Sequence, residues 1–470
     1  MPDSVFSLRS AMPAPAADVY AWHARPAAFQ RLQPPWEGAV ITATEGHFGT
    51  DGYRVTLRTP LAGPVRGTMV AEFHDFRPGE GFQDRQRSGP FASWNHAHRM
   101  TPDGPDRSFL EEHITYRLPL GAAGRALGGG MVRRRLARMF AYRHALTASD
   151  LRRHALYRDR PRLRVAVTGS RGMIGSDLAL FLATGGHTVV RCVSGGPVRP
   201  PAFDDGTWWV GWDPTARPDP AVLAGCDAVV HLAGDNIGKG RWTAAKKRTI
   251  LDSRTVPTRH LAEAIAALPP DRRPKVFVST SAVGFYGDRG DEVLSEDSSP
   301  GTGFLSDVCR AWEEAAAPAA AAGVRVVHPR LGVVLSPRGG ALGAQLPAFR
   351  AGAGAVLGSG RQWVSWVTVH DVVGALHHCL MSDSLSGPVN VTAPNPVTNR
   401  EFTKALGRVL NRPAAMWLPR VALRLMFGEF ADAALLSSQR VLPRKLLDTG
   451  FTFDHAELEP ALRFLLGRPA

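Results

Sequence analysis

The stretch Arg164-Val165-Ala166-Val167-Thr168-Gly169-Ser170-Arg171-Gly172-Met173-Ile174-Gly175 decides how the rest of the chain is read. The run before the glycines is apolar and β-branched, which predicts a buried strand, and Asp177-Leu178-Ala179-Leu180-Phe181-Leu182 predicts a helix. Strand, glycine turn and helix N-terminus in that order hold the diphosphate of a dinucleotide on main-chain N–H groups. Gly169 would permit the tight turn, Gly172 the close approach of the diphosphate, and Gly175 the packing of helix on strand. Ser170, Arg171, Met173 and Ile174 complete this candidate cofactor loop. It lies roughly a third of the way along a 470-residue chain, so another module precedes it.

Strands and helices alternate from Leu163 onward. Thr188 to Val193, Ala228 to His231, Lys275 to Ser279 and Val324 to Val327 read as strands. Helices are predicted from about Thr243 to Leu268 and from Phe304 to Ala322. Such alternation predicts an α/β, Rossmann-like, doubly wound parallel sheet with helices on both faces. The second strand ends at Cys192-Val193-Ser194 without the acidic residue that would grip the ribose hydroxyls of NAD. Arg171, Arg191 and Arg199 instead offer positive charge for a 2′-phosphate. NADP is the expected cofactor, with NAD the alternative.

Thr168-Gly169-x-x-Gly172-x-x-Gly175 resembles the glycine motif of the extended short-chain dehydrogenases/reductases. The resemblance implies that Ser194, Leu232-Ala233-Gly234, Ser279 and Pro329, the last read in the turn after strand six, border the cofactor. It also implies a catalytic tyrosine with a lysine four residues later. Phe304 and Val308 stand in those places, and neither can move a proton. Ser281 and Tyr286 are the hydroxyls left as catalytic candidates. Asn236, Arg241, Trp242 and Gln362 are the substrate candidates, and His370-Asp371 is read as a helix cap.

Leu232 to Ile237, Arg241-Trp242-Thr243, Ser281 to Gly287, Gly358 to Asp371 and Leu435 to Pro443 resemble the atypical, nucleoside-diphosphate-sugar epimerase-like branch of that superfamily. That branch carries a small C-terminal domain of unknown function, and the resemblance spans about residues 163 to 466. Its implied activity is epimerase-like or oxidoreductase-like, with a non-catalytic NADP(H)-binding sensor as the alternative. The expected division is residues 163–397 for the cofactor domain and 398–470 for a small, mostly helical domain.

Residues 1–155 read as an α+β unit. A strand from Val5 to Ala11 and a helical stretch from Ala14 to Leu32, broken at Pro26, precede runs of strand character. Glu111 to Leu118 alternates with period two, as a sheet with one buried face requires. A long amphipathic helix is predicted from about Met131 to His154, after Gly128-Gly129-Gly130. This order resembles the START-like, polyketide-cyclase-like (SRPBCC-type) helix-grip domains, which implies an apolar cavity and a hydrophobic ligand. Trp94, His96 and His98 alternate and would share one sheet face.

The net charge of +14 comes with abundant arginine and only Lys239, Lys246, Lys247, Lys275, Lys404 and Lys445 as lysines. The dense cluster Arg133-Arg134-Arg135 backs onto Leu136, Met139 and Phe140, which predicts a solvated helix face rather than a nucleic-acid surface. Cys192, Cys226, Cys309 and Cys379 are too scattered for a zinc motif, so free buried thiols and no metal are expected. No apolar run is long enough for a membrane span and no secretory leader is apparent, which points to a cytoplasmic protein. A homodimer is compatible with the superfamily resemblance.

Overall fold

The computed structural model describes residues 3–62, 65–195, 205–218 and 220–468. Arg199 lies outside them. The front module is a seven-stranded antiparallel sheet: β1 (Ser4–Met12), β2 (Val40–Glu45), β3 (Tyr53–Ala62), β4 (Val65–Arg77), β5 (Gly81–Ser88), β6 (Ser93–Pro102) and β7 (Ser108–Arg117). Its order is β1-β7-β6-β5-β4-β3-β2, a meander closed by the first strand pairing with the last. β7 alternates buried and less buried residues along its length, as its period-two sequence requires. Two short helices, α1 (Ala16–His23) and α2 (Ala27–Arg31), are separated at Pro26.

The helix α3 (Gly121–Ala155) lays Leu136 and Phe140 against Phe6, Trp94, Ile114 and Tyr116 of the sheet. It begins ten residues before the expected start and runs straight through the glycine triplet. Each helical glycine costs only about 1 kcal/mol relative to alanine, a penalty that burial further along the helix can outweigh.

The rear module contains β8 (Arg164–Thr168), α4 (Met173–Thr184), β9 (Thr188–Val193), β10 (Thr207–Gly211), β11 (Ala228–His231), β12 (Val276–Ser279) and β13 (Ser281–Ala282). Two further strands, Arg325–Leu331 and Gly387–Val391, extend an all-parallel sheet of order β10-β9-β8-β11-β12-(325–331). β13 and Gly387–Val391 both pair with Arg325–Leu331. The chain thus reverses direction across the sheet between β8 and β11, which opens a crevice at their carboxyl ends.

β10 and Gly387–Val391 were not anticipated. Pro329 pairs with Val389 inside a strand rather than lying in a turn. The helix expected from Phe304 to Ala322 is two, Phe304–Glu314 and Ala317–Ala321. The C-terminal helices bury Phe402, Leu406, Leu462 and Leu465 in one core with Leu342, Leu346 and Trp366, so this segment is continuous with the sheet module.

The two modules are fused along α3. Within the front module Arg31 of α2 forms a bidentate, buried pair with Asp150 of α3, and α2 in turn packs on α4 of the rear module. His154 stacks on Phe181, with ring centroids 4.2 Å apart. Among the described residues no helix is long and apolar enough to cross a membrane.

Candidate functional site

The sheet register puts Thr168, Cys192, His231 and Ser279 level with one another, so the residues that follow them emerge along one edge. Gly169 holds φ at +66° there, and a Cβ on it would lie 2.7 Å from the carbonyl carbon of Leu232. The β8 turn therefore touches the end of β11 backbone to backbone. A Cβ on Gly175 would lie 2.3 Å from the Gly169 oxygen, so α4 starts hard against the same turn.

Gly172 is the N-cap of α4, and no side chain caps the helix. The N–H groups of Met173, Ile174 and Gly175 consequently have no partner within the helix and carry its positive dipole end. The buried hydroxyls of Ser170 and Ser279 and Nε2 of His231 lack partners as well. An uncapped helix, a glycine cradle and orphaned donors fit a dinucleotide diphosphate. Ser194 follows β9, and Leu232, Ala233 and Gly234 follow β11, at this same edge.

The exposed Arg171 reaches toward the Ser194 carbonyl at 3.4 Å and lies 5.8 Å from the Trp209 ring centroid. Arg191 is different. It is buried, pairs with Asp205 at 3.1 Å and donates to the Ser170 carbonyl at 3.1 Å. It braces the loop from behind and does not present its charge to a 2′-phosphate.

Several substrate and catalytic expectations are corrected. Tyr286 is fully buried, donates to Asn390 Oδ1 at 2.7 Å and accepts from Arg330 at 3.0 Å. Arg330 is itself held by both oxygens of Glu313. Burial raises the Tyr286 phenol above its ordinary pKa, Arg330 only partly opposing this. Tyr286 thus ties strands together instead of facing the crevice.

Trp242 packs with Phe304 and Phe430 and donates its Nε1–H to the Ile237 carbonyl at 2.8 Å. It is a core residue, not a clamp for a planar substrate. Gln362 donates to the Leu357 and Leu435 carbonyls at 3.0 and 3.2 Å, which fixes the C-terminal segment instead of a ligand. Asn236 and Arg241 remain exposed beyond β11. Ser281 is buried beside the Cys309 thiol, which burial pushes up to about 11, so that thiol is no nucleophile near neutral pH.

Where the superfamily's tyrosine and lysine would stand, Trp242, Val308, Phe304 and Phe430 form an apolar plug. Two lysines missed by sequence reasoning lie nearby, and Lys247 borders the plug. Lys246 pairs with Asp235, and Lys247 pairs with Glu429 at 2.8 Å while its ammonium lies 4.7 Å from the Phe304 ring centroid. In a chain with six lysines, two adjacent ones at the start of a helix were the available signal. The helix Val369–Met381 is capped by Thr368, whose hydroxyl accepts from the Asp371 N–H at 3.0 Å, so the cap is Thr368 and not His370-Asp371, which lie within the first turn. All four cysteines are free and buried.

The site is that of a dinucleotide-binding α/β module. The model of the NAD-dependent epimerase/dehydratase family matches residues 165–391, and a domain of unknown function, DUF1731, matches residues 418–465.

An epimerase family protein of Mycobacterium bovis is 46% identical over 306 residues, which is 65% of this chain and 98% of that protein. The chain belongs to this epimerase family. The crystal structure of the nucleoside-diphosphate sugar epimerase from Corynebacterium glutamicum is 32% identical, with a TM-score of 0.77, covering 98% of this chain and 90% of that one. That similarity therefore takes in the front module too. The structure of human epimerase family protein SDR39U1 (isoform2) with NADPH is 34% identical, with a TM-score of 0.57, covering 65% of this chain and 99% of that one.

Proposed function

We propose that the rear module binds NADP(H) and acts as an epimerase-like oxidoreductase on a small carbonyl compound. The observation that carries this reading is the uncapped N-terminus of α4 behind Gly169 and Gly172, with Arg171 exposed beside it. The human relative described with NADPH supports the same cofactor. When bound, the nicotinamide supplies or accepts hydride. Main-chain N–H groups of Met173 to Gly175 hold the diphosphate, Arg171 meets the 2′-phosphate, and Ser279 and Ser281 border the nicotinamide half.

The front module is read as a START-like helix-grip domain holding a hydrophobic ligand. Its sheet folded against α3 and a cavity of 340 Å³ between them support that reading. The protein acts as a soluble cytoplasmic enzyme under this proposal. A second reading, a non-catalytic NADP(H) sensor, is favoured by the apolar plug of Phe304 and Val308 and by the burial of Tyr286.

The test is to titrate the purified chain with NADPH and NADH while following nicotinamide fluorescence, then to assay NADPH oxidation against carbonyl compounds and nucleotide sugars. Tight NADPH binding with turnover supports the enzyme, and binding without turnover selects the sensor. No binding of either nucleotide overturns both.

A further inference from the structure

The front cavity carries a polar cluster that the cofactor site does not use. Its 340 Å³ falls within the roughly 300–1,000 Å³ of small-molecule pockets, and its wall includes Phe48, Tyr53, Phe73, Phe82 and Phe140. In the sheet register Asp84 of β5 faces His96 of β6, and His98 of β6 faces Glu112 of β7. Period-two alternation sends all four side chains to one face. Asp84 Oδ2 lies 3.0 Å from His96 Nδ1 and 3.2 Å from His98 Nε2. The remaining nitrogen of each ring approaches one oxygen of Glu112, at 2.7 Å for His96 and 2.8 Å for His98. Asp84, His96 and His98 line the cavity, whereas Glu112 does not.

We infer that Asp84 Oδ2, His96 Nδ1 and His98 Nε2 bind a divalent first-row transition ion, with Glu112 fixing the His96 imidazole and lying beside that of His98, and an open coordination position facing the apolar cavity. Metal–ligand bonds of about 2.0–2.1 Å in tetrahedral geometry separate neighbouring ligand atoms by about 3.3 Å. The two measured edges come close to that. Ligating histidines hand their second N–H to a carboxylate; Glu112 accepts from His96 Nε2 at 2.7 Å and lies 2.8 Å from His98 Nδ1 without hydrogen-bond alignment there.

The supporting shell continues outward. Trp94 donates to Asp84 Oδ1 at 3.3 Å, and His144 bridges Glu112 and Ser10. Two imidazoles and one carboxylate without thiolate suit zinc or iron(II), and three protein ligands leave room for a fourth from outside. That position takes the oxygen of a phenol, enol or carboxylate whose apolar body fills the cavity.

A second trio, His154, His187 and His377, also has its ring atoms close together. There the Leu163 N–H donates to His187 Nδ1 at 3.1 Å, so neutral His187 carries its proton on Nε2 and has no free lone pair.

The experiment uses the full chain, stripped with a chelator, desalted and titrated with Co²⁺ as a spectroscopic probe, with Zn²⁺ as competitor. One ion per chain with intense visible d–d bands is expected. The bands should vanish in His98→Ala and in the near-isosteric Asp84→Asn, and Co²⁺ affinity should fall about 10–100-fold in Glu112→Gln. His187→Gln should leave them intact, and 2-naphthol should shift them. Circular dichroism and NADPH binding on the same samples report folding and keep this outcome separate from that of the rear site. No bands in the wild type, or bands that persist in folded Asp84→Asn, would overturn the inference and leave a proton-held ion-pair cluster.

Discussion

Arg153 of α3 and Asp371 in the first turn of helix Val369–Met381 lie 2.7 Å apart, both buried, and so join the front module to the rear one. The same guanidinium holds Asp454 at 2.7 Å and donates to the His370 carbonyl. Burial pushes the Asp454 carboxyl upward, but Arg153, Ser149 and Arg152 more than offset it and hold it below its ordinary value. Removing one member of a buried pair strands the other charge, at about 3–5 kcal/mol. Arg153→Met should therefore lower the stability to urea by about that amount. A variant as stable as the wild type would mean the modules are held elsewhere.

At the cofactor loop, aspartate at position 172 separates folding from binding. Gly172 is an N-cap in extended conformation, a position aspartate favours, with its Cβ a tight 3.1 Å from the Gly169 oxygen. Its carboxylate would then face the diphosphate, and like charges about 4 Å apart cost about 4 kcal/mol at an effective dielectric of about 20. Gly172→Asp should unfold like the wild type yet bind NADPH at least about 100-fold more weakly by calorimetry. Unchanged affinity would remove the loop from the site.

Arg171 should set the choice between the two nicotinamide coenzymes. It is the exposed guanidinium of the loop, whereas Arg191 is spent on Asp205. A charge-assisted contact to phosphate is worth about 1.5–3 kcal/mol. Arg171→Ala should weaken NADPH binding about 10-fold or more and leave NADH binding unchanged. An equal loss for both nucleotides would place its contact on the diphosphate.

Much of this architecture was legible because its signals are local. Strand-like runs, with period-two alternation in Glu111 to Leu118, marked the front sheet, and Gly169, Gly172 and Gly175 marked the turn, since backbone sterics act over a few residues. What was not legible depends on distant partners. Nothing near Tyr286 in sequence announces Asn390 and Arg330, which turn a candidate acid into a buried tie. Trp242 and Gln362 likewise look like site residues until Phe304, Phe430 and Leu435 come against them from elsewhere in the chain. The same distance hid Asp84, which lies on the strand next to the one whose alternation had already put His96 and His98 on one face.

The reassignment of Tyr286 has its own consequence. Tyr286→Phe deletes a hydroxyl that satisfies two buried groups, and leaving such groups unpaired costs about 1–3 kcal/mol. The variant should melt at lower temperature while binding NADPH, and turning over any substrate found, as the wild type does. A large fall in turnover with unchanged stability would restore the phenol as the acid.

Acidification should weaken the seam before carboxylates held low, such as Asp454, are neutralised. His154, His187 and His377 are buried together, and burial, with Arg25 and Arg162 nearby, lowers their pKa values, that of His187 to about 4. In the unfolded chain each titrates near 6.5, so below that pH the unfolded state binds more protons than the folded one. The contribution of these three rings is thus fully present above pH 6.5 and declines as pH falls toward 4, by about 1.4 kcal/mol per histidine per unit at most. Carboxylates held low, such as Asp454, lose their contribution only below about pH 4, which separates the two effects. Urea midpoints should fall between pH 6.5 and 4.5, and fall less steeply in His377→Phe. A midpoint constant down to pH 5 would mean these rings gain protons without cost in the folded protein.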